Sequence, residues 1–325
     1  CLMEAGAVSW NASADADDNF QQLRFWEDEK PSLRFYINAA ARYELETVKA
    51  PILDTNAGEW TVMSLLRGMY TGMDYLNYIP DDYFEGYYQR MVETVQSKNG
   101  VLDAYKITEW CRVILALSAL GKSPADVGGY DFLDKLSKSY HDTYWQGING
   151  PIFSLIALNT GGYQLYETPS EYQEGDINTE GRMLDYIVRH EILNSDKTIG
   201  GWALNDANAA ENGADADITG MALQAMAPYY LDELKYKESG AATPYSEFIK
   251  AVERGIYTLH QMQLDNGGFK GWGSDINTES TTQVIVALTE LGIDPLSESV
   301  VLSNIGKECG FVTKGAVWDG TRCNN

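Results

Sequence analysis

Two kinds of apolar pattern alternate along the chain, and both predict helices. In the first kind, apolar residues recur every three or four positions, which is typical of a helix with one buried face. In the second kind, nearly every residue is apolar, which is typical of a helix buried on most sides. The predicted amphipathic helices are 32–48, 81–96, 130–140, 179–193 and 245–263. The predicted buried helices are 59–73, 108–120, 150–158, 218–230 and 281–291. We find no period-two pattern that predicts a strand.

A unit of turn, loop and buried helix recurs along the sequence. Its clearest copy has a glycine turn at 266–268, the rings of Phe269 and Trp272, and then a helix with Asn277 or Thr278 as its N-cap. Similar units begin near residues 56, 98, 145 and 198. Their unequal spacing argues against a ladder-like solenoid and favours helix pairs joined by loops of different lengths.

This alternation predicts an all-α fold, an α/α toroid in which the buried helices form an inner ring and the amphipathic helices an outer ring. The pattern gives five clear pairs and an incomplete sixth pair near the carboxyl terminus. We divide the chain into an extension, 1–31, and a toroid domain, 32–325. An open barrel, a gap filled by the extension, and a truncated sixth pair remain as alternatives. In every case the loops that lead into the inner helices gather at one mouth, where function is expected.

Charge narrows the set of partners. The formal net charge is −23, from 47 acidic against 24 basic residues, which disfavours nucleic acid and anionic membranes as partners. No apolar run approaches the roughly 18 residues of a membrane span, so we predict no membrane insertion. An acidic surface is typical of soluble exported bacterial domains. We therefore expect an extracellular or cell-surface location, with other domains of a larger surface protein as candidate partners.

Four cysteines, in a chain of 325 residues, do not form a disulfide framework. Cys111 lies in a buried helix and is predicted to be an inert core thiol. Cys309 and Cys323 are close enough in sequence to pair, and the sequence leaves this open. Cys1 is a candidate for lipid modification, for a free thiol or for a disulfide.

Several segments resemble a known superfamily. The segments NGGFKGWGSDINTESTTQVIVAL (266–288) and DADITGMALQAM (215–226) resemble the repeats of the terpenoid cyclase and protein prenyltransferase superfamily of α/α toroids. The segments GEWTVMSLLRG (58–68) and KNGVLDAYKITEWCRVILALSALGKSP (98–124) are similar to bacterial cell-surface proteins described as prenyltransferase-like or squalene-cyclase-like. The resemblance covers roughly 38–319 and implies a toroid and an exported location. Transcobalamin and intrinsic factor have a similar barrel, so the resemblance also allows a corrinoid as ligand.

The resemblance implies one candidate catalytic residue. Class II terpenoid cyclases protonate their substrate with the middle acid of an Asp-x-Asp-Asp motif, and Asp217 stands at that position here. Ile218 replaces the last Asp, which removes a neighbour that would polarise the acid. The alternative is that Asp215 or Asp217 caps the helix.

Prenyltransferases bind zinc through an Asp, a Cys and a His, and this chain does not reproduce that pattern. His141, His190 and His260 all lie on predicted outer helices, and no cysteine has an Asp two residues before it. We therefore predict no metal site and no cofactor other than a corrinoid as a possible ligand.

Acids at the starts of the inner helices, together with nearby tryptophans, form the candidate binding site. Caps and packing between repeats are the alternative use of such residues. The function predicted first is non-catalytic binding of a small molecule, a glycan or a peptide at the mouth formed by the inner-helix amino ends. The alternative is an enzyme, either a cyclase with Asp217 as general acid or a carbohydrate-active enzyme with paired carboxylates. The candidate ligand-binding residues are Glu59, Trp60, Glu109, Trp110, Trp145, Asn149, Trp202, Asp215, Trp272 and Glu279.

Overall fold

The computed structural model describes residues 33–53, 58–68, 73–173, 175–271 and 276–311, and within them the chain is mostly helical. The α-helices are α1 (Leu33–Thr47), α2 (Glu59–Gly68), α3 (Tyr83–Ser97), α4 (Thr108–Leu120), α5 (Phe132–Lys138), α6 (Tyr140–Trp145), α7 (Asn149–Gly161), α8 (Glu180–Arg189), α9 (Asp206–Asn212), α10 (Ala216–Leu231), α11 (Glu233–Glu238), α12 (Tyr245–Met262) and α13 (Thr278–Glu290). The strands are β1 (Phe269–Lys270), β2 (Ile276–Asn277), β3 (Val300–Leu302) and β4 (Lys307–Cys309), and a 3-10 helix spans Asp74–Tyr78.

All five predicted buried helices are confirmed, as α2, α4, α7, α10 and α13. Among the amphipathic helices, α1, α3, α8 and α12 are also confirmed. The predicted helix 130–140 is instead two short helices, α5 and α6, which meet at Ser139. The side chain of Asp131 caps α5 by accepting hydrogen bonds from the amides of Leu133 and Asp134, and Ser139 leaves the helical conformation at φ −100° and ψ 47°.

The five buried helices pack in chain order. Helix α2 contacts α4, α4 contacts α7, α7 contacts α10, and α10 contacts α13. Their side chains form most of one continuous core, which includes Ile114, Leu155 and Leu223, all fully buried. Each fully buried aliphatic side chain of this kind stabilises the fold by roughly 1.5–3 kcal/mol. The amphipathic helix α8 contacts α7, and α12 contacts α10.

The amino ends of neighbouring buried helices lie together. Glu59, the first residue of α2, is 3.5 Å from Arg112 near the start of α4. Asp217, near the start of α10, lies beside Ser280 in the first turn of α13. In each of these two pairs, the packed helices therefore run in the same direction. An intervening amphipathic helix returns the chain between α2 and α4 and between α10 and α13.

Two short antiparallel strand pairs contradict the prediction that the chain has no strands. Strand β1 pairs with β2, and β3 pairs with β4. Each strand has only two or three residues, so a period-two pattern has no length over which to show. The β1–β2 pair leads directly into α13, whose N-cap is Asn277: its side chain accepts a hydrogen bond from the amide of Ser280.

Some predictions fall outside the described residues: the extension 1–31, the incomplete sixth pair, Trp272, Cys1 and Cys323. Cys111 is fully buried with a pKa raised by burial to about 12, as expected of an inert core thiol. Cys309 is a buried free thiol. Across the described part of the chain, no helix is both long enough and apolar enough to cross a membrane.

Candidate functional site

The two acids at the starts of α2 and α4 share one arginine. Glu59 is 1% exposed, its Oε1 accepts a hydrogen bond of 3.1 Å from the Tyr87 hydroxyl, and its Oε2 is 3.5 Å from Arg112 Nε. Arg112 also donates two hydrogen bonds, of 2.9 and 2.7 Å, to the carboxylate of Glu109. Burial raises the pKa of Glu59 to about 7, although Arg112 opposes the shift. The carboxyl groups of Glu59 and Glu109 are therefore both engaged by Arg112.

Two of the predicted mouth tryptophans are core residues, which corrects the prediction that they line a binding surface. Trp202 is fully buried, and its ring N–H donates a hydrogen bond of 2.7 Å to the carbonyl of Ile187. Trp110 is 1% exposed and lies beneath the ammonium group of Lys135. A ligand at an open mouth cannot reach either ring. Trp145 is different, since it is 59% exposed and stacks on Tyr105 with ring centroids 5.1 Å apart.

The two acids at the start of α10 have different roles: Asp215 caps the helix, and Asp217 has a raised pKa. Asp215 is the N-cap, because its side chain accepts a hydrogen bond of 2.8 Å from the amide of Ile218. Asp217 is partly buried. Burial raises its pKa, the nearby Ser280 hydroxyl opposes the shift, and the charges of Asp215 and Glu279 reinforce it. The structure thus groups Asp215, Asp217 and Glu279, and it groups Glu59 with Glu109. Asn149 begins α7, and its side-chain carbonyl oxygen is buried without a hydrogen-bond partner.

A cavity of about 440 Å³ lies between the five buried helices, and every one of them contributes to its wall. Most of the residues that line it are in the middle or the carboxyl half of their helix. The cavity therefore differs in place from the predicted mouth at the amino ends. The lining residues are Trp60, Met63 and Arg67 of α2, Leu115 of α4, Phe153, Ile156, Asn159 and Thr160 of α7, Gln224 and Pro228 of α10, and Gln283 and Glu290 of α13.

The cavity wall combines rings, amides and two charges. Trp60 and Phe153 face each other across α2 and α7 with ring centroids 6.3 Å apart and planes at 58°. The side-chain amides of Gln224 and Gln283 approach to 3.5 Å between nitrogen and oxygen. Arg67 and Glu290, near the carboxyl ends of α2 and α13, add one positive and one negative group. The rings of such a wall can pack on the face of a flat molecule, and the amides can form hydrogen bonds with its polar edge.

Trp60 is the one predicted site residue found among the described residues of this wall. The sequence did carry a signal for the others. Asn159, Gln224 and Gln283 are amide side chains within three of the five buried helices. A polar group in such a position needs a hydrogen-bond partner or an opening to water. Isolated amides within buried helices therefore indicate a cavity better than the acids at the helix starts do.

The described residues contain no group of three or more His, Cys, Asp or Glu side chains that could hold a metal ion. Comparison with protein-family models, with curated proteins and with solved structures finds no match to this chain. The superfamily resemblance therefore stays a prediction from the sequence.

Proposed function

We propose that this chain is a ligand-binding, non-catalytic helical module whose binding site is the cavity between the five buried helices. The observation that carries this proposal is that side chains from all five helices border one cavity. Its volume of about 440 Å³ falls within the roughly 300–1,000 Å³ of small-molecule sites, which are mostly apolar with a few placed polar groups.

We include in this proposal a toroid-like arrangement of the buried helices. Three observations support it: the helices pack in chain order, neighbouring amino ends lie together, and all five helices surround one space. These are the relations that an inner ring of parallel helices would have. Export to a bacterial cell surface, predicted from the sequence, is carried as part of the same proposal.

The lining indicates the chemistry of the ligand. Trp60 and Phe153 favour a flat ring, while Gln224, Gln283 and Asn159 favour amide or hydroxyl groups at its edge. Helix carboxyl ends carry partial negative charge, which favours a hydrogen-bond donor or a cationic group at that side of the cavity. A compact neutral or zwitterionic molecule fits these features.

The enzyme alternatives have less support. A cyclase acid must reach its substrate, and Asp217 is not among the residues that line the cavity. Hydrolysis of a glycoside needs two carboxyl groups roughly 5–10 Å apart at the substrate. Among the described lining residues the one acid is Glu290, which is exposed at the end of α13.

A pair of threonine variants tests the proposed site. Thr160 and Thr289 both lie in the last turn of a buried helix, but only Thr160 lines the cavity. We expect Thr160→Trp to fill the cavity and Thr289→Trp to leave it open. Both proteins and the wild type are screened by ligand-observed NMR against aromatic amides, aromatic amines and simple sugars.

Compounds that bind the wild type and Thr289→Trp but not Thr160→Trp would support the cavity as the binding site. Compounds that bind all three proteins equally would show that the site lies elsewhere. A wild type that binds none of the three compound classes would contradict the proposed function.

A further inference from the structure

We propose that a groove on the outside of the helical domain binds an acidic sugar chain, through two arginines and a row of aromatic rings. The groove lies between α6, α8 and the segment 242–243 that precedes α12. It has a volume of about 550 Å³ and is open to solvent. It is separate from the central cavity, with which it shares no lining residue among those described.

Three tyrosine rings line this groove in a continuous row, and the ring of His190 extends the row beyond it. Tyr140 and Tyr144 of α6 have centroids 4.9 Å apart, Tyr144 is 4.7 Å from Tyr186 of α8, and Tyr186 stacks on His190 at 4.0 Å. A tyrosine ring offers an apolar face and a hydroxyl edge. Sugar rings have the same character, with apolar C–H faces and polar rims. A row of such rings therefore suits a chain of sugars better than it suits a compact inorganic ion.

Two arginines of α8 lie on the same side as the rings. Arg182 and Arg189 are seven residues apart, so they lie two helical turns, or about 10 Å, from each other on one face. The guanidinium of Arg182 lies 5.3 Å from the centroid of the Tyr140 ring. Both positive charges lower the pKa of Tyr144, although burial raises it overall, so both act on the middle of the row.

Neither arginine is within ion-pair distance of a carboxylate in the described part of the chain. This is unexpected in a sequence with 47 acidic and 24 basic residues, where acids are the commoner neighbours. Among the described residues that line the groove the one acid is Asp185, and its two oxygens accept hydrogen bonds of 2.8 Å from the amides of Ala242 and Thr243. Asp185 thus holds one wall of the groove in place. Arg182 donates one hydrogen bond of 2.6 Å from Nη1 to the carbonyl of Ile177, and Arg189 donates one of 3.1 Å from Nε to the carbonyl of Asp185. The remaining N–H groups of each guanidinium are left for a ligand.

The guanidinium groups indicate which sugars fit. A guanidinium fork binds a carboxylate through two parallel hydrogen bonds, so a sugar chain with carboxyl groups at intervals can engage both arginines. Tyr186 also lines a second hollow, together with His190, Leu204 and Asn205. An extended chain that binds the groove can therefore reach this hollow. Nucleic acid does not fit, because its dense phosphate charge needs a broad basic surface and this chain carries a net charge of −23.

Titration calorimetry with a four-residue oligogalacturonate tests this proposal, with cellotetraose as the uncharged counterpart and inorganic phosphate as the simple anion. We expect the wild type to bind the oligogalacturonate at least ~tenfold more tightly than cellotetraose, since hydrogen bonds to charged groups contribute roughly 1.5–3 kcal/mol each. We expect added salt to weaken this binding.

Matched variants locate the binding. The double variant Arg182→Gln/Arg189→Gln is expected to lose at least ~tenfold in affinity, and Tyr140→Ala to lose severalfold. The controls are Arg34→Gln and Tyr36→Ala on α1. Both residues are exposed, and α1 contributes no residue to the described lining of the groove. Both controls, and Thr160→Trp in the central cavity, are expected to stay within about twofold of the wild type. Thermal unfolding confirms that each variant is folded.

Three results would overturn the proposal: no binding of the oligogalacturonate by the wild type, equal binding of cellotetraose, or equal losses in the control variants. Phosphate binding that depends on the two arginines, without binding of either sugar chain, would also overturn it and would identify a simple anion pocket. Loss of the binding in Thr160→Trp alone would assign the sugar to the central cavity instead. The groove proposal and the cavity proposal can therefore fail separately.

Discussion

The amino and carboxyl halves of the buried helices carry different kinds of residue. At the amino ends, acids and large rings are packed away: Glu59 and Glu109 share Arg112, Asp215 caps α10, and Trp202 lies in the core. Towards the carboxyl ends, ordinary amides and hydroxyls border an open cavity. The acids whose type suggests chemistry thus hold the structure together, whereas the described residues of the proposed site, apart from Trp60, are not among the candidates predicted from the sequence.

Helix electrostatics explain this division. The first turn of a helix has unpaired amides and partial positive charge, so it favours acids whether or not they have a function. Glu59, Glu109, Asp217 and Glu279 all stand in such a first turn. The carboxyl halves have no such demand for acids. Polar residues near the middle of a buried helix, such as Gln224 and Gln283, are not explained by the first turn; these two amides bond to each other at the cavity wall.

Removing the shared arginine should have the largest effect. The change Arg112→Ala leaves Glu59 buried without a counter-charge, so we expect the free energy of unfolding to fall by about 3–5 kcal/mol. The matched control is Lys122→Ala, which removes a surface ion pair of 3.0 Å with Glu85 and should cost less than about 1 kcal/mol. Urea unfolding of both variants measures the difference. Equal losses would show that the amino-end charges are no more structural than surface pairs.

The next largest effect should be the contribution of Glu59 to the pH dependence of the unfolding free energy. Burial raises its pKa from the usual 4.5 to about 7, so the folded state holds this proton more tightly than the unfolded state does. The resulting stability is fully present below about pH 4.5 and is lost as the pH rises through about 7, by a total of about 3 kcal/mol. Burial also raises the pKa of Glu191, Asp215 and Asp217, so the wild type loses further stability in the same direction.

The variant Glu59→Gln isolates this one carboxyl. The difference in unfolding free energy between the wild type and the variant should change by about 3 kcal/mol between about pH 4.5 and about pH 8. The wild type should be relatively more stable at the acidic end. A difference that does not vary with pH would mean that Glu59 is not buried as the structure shows.

The two acids of α10 should differ by a smaller amount. Asp215→Ala removes the N-cap and should lower the unfolding free energy by about 1 kcal/mol. Burial disfavours the charge of Asp217, and Asp217→Asn removes this charge while keeping the shape of the side chain. We therefore expect this variant to have no lower unfolding free energy than the wild type at neutral pH. Chemical denaturation compares the two. The reverse order of stabilities would contradict the assignment of Asp215 as the cap.

The sequence predicted local structure well, but it did not predict contacts between residues that are far apart along the chain. The five buried helices, the cap at Asn277 and one of the two alternatives for Asp215 follow from periodicity and capping preference. The break at Ser139 and the short strands do not, because they depend on a few residues and on their surroundings. The pairing of Glu59 with Arg112 links residues 53 positions apart, and the cavity joins five helices. Periodicity within one helix contains no information about either.

One measurement distinguishes directly between the two halves of the buried helices: diffraction from crystals soaked with the fragments that bind most tightly in the NMR screen. We predict density for the fragment in the cavity against the rings of Trp60 and Phe153, with its polar edge towards the amides of Gln224 and Gln283. Density at the amino ends, beside Glu109 or Asp217, would contradict our central claim and return the binding site to the mouth.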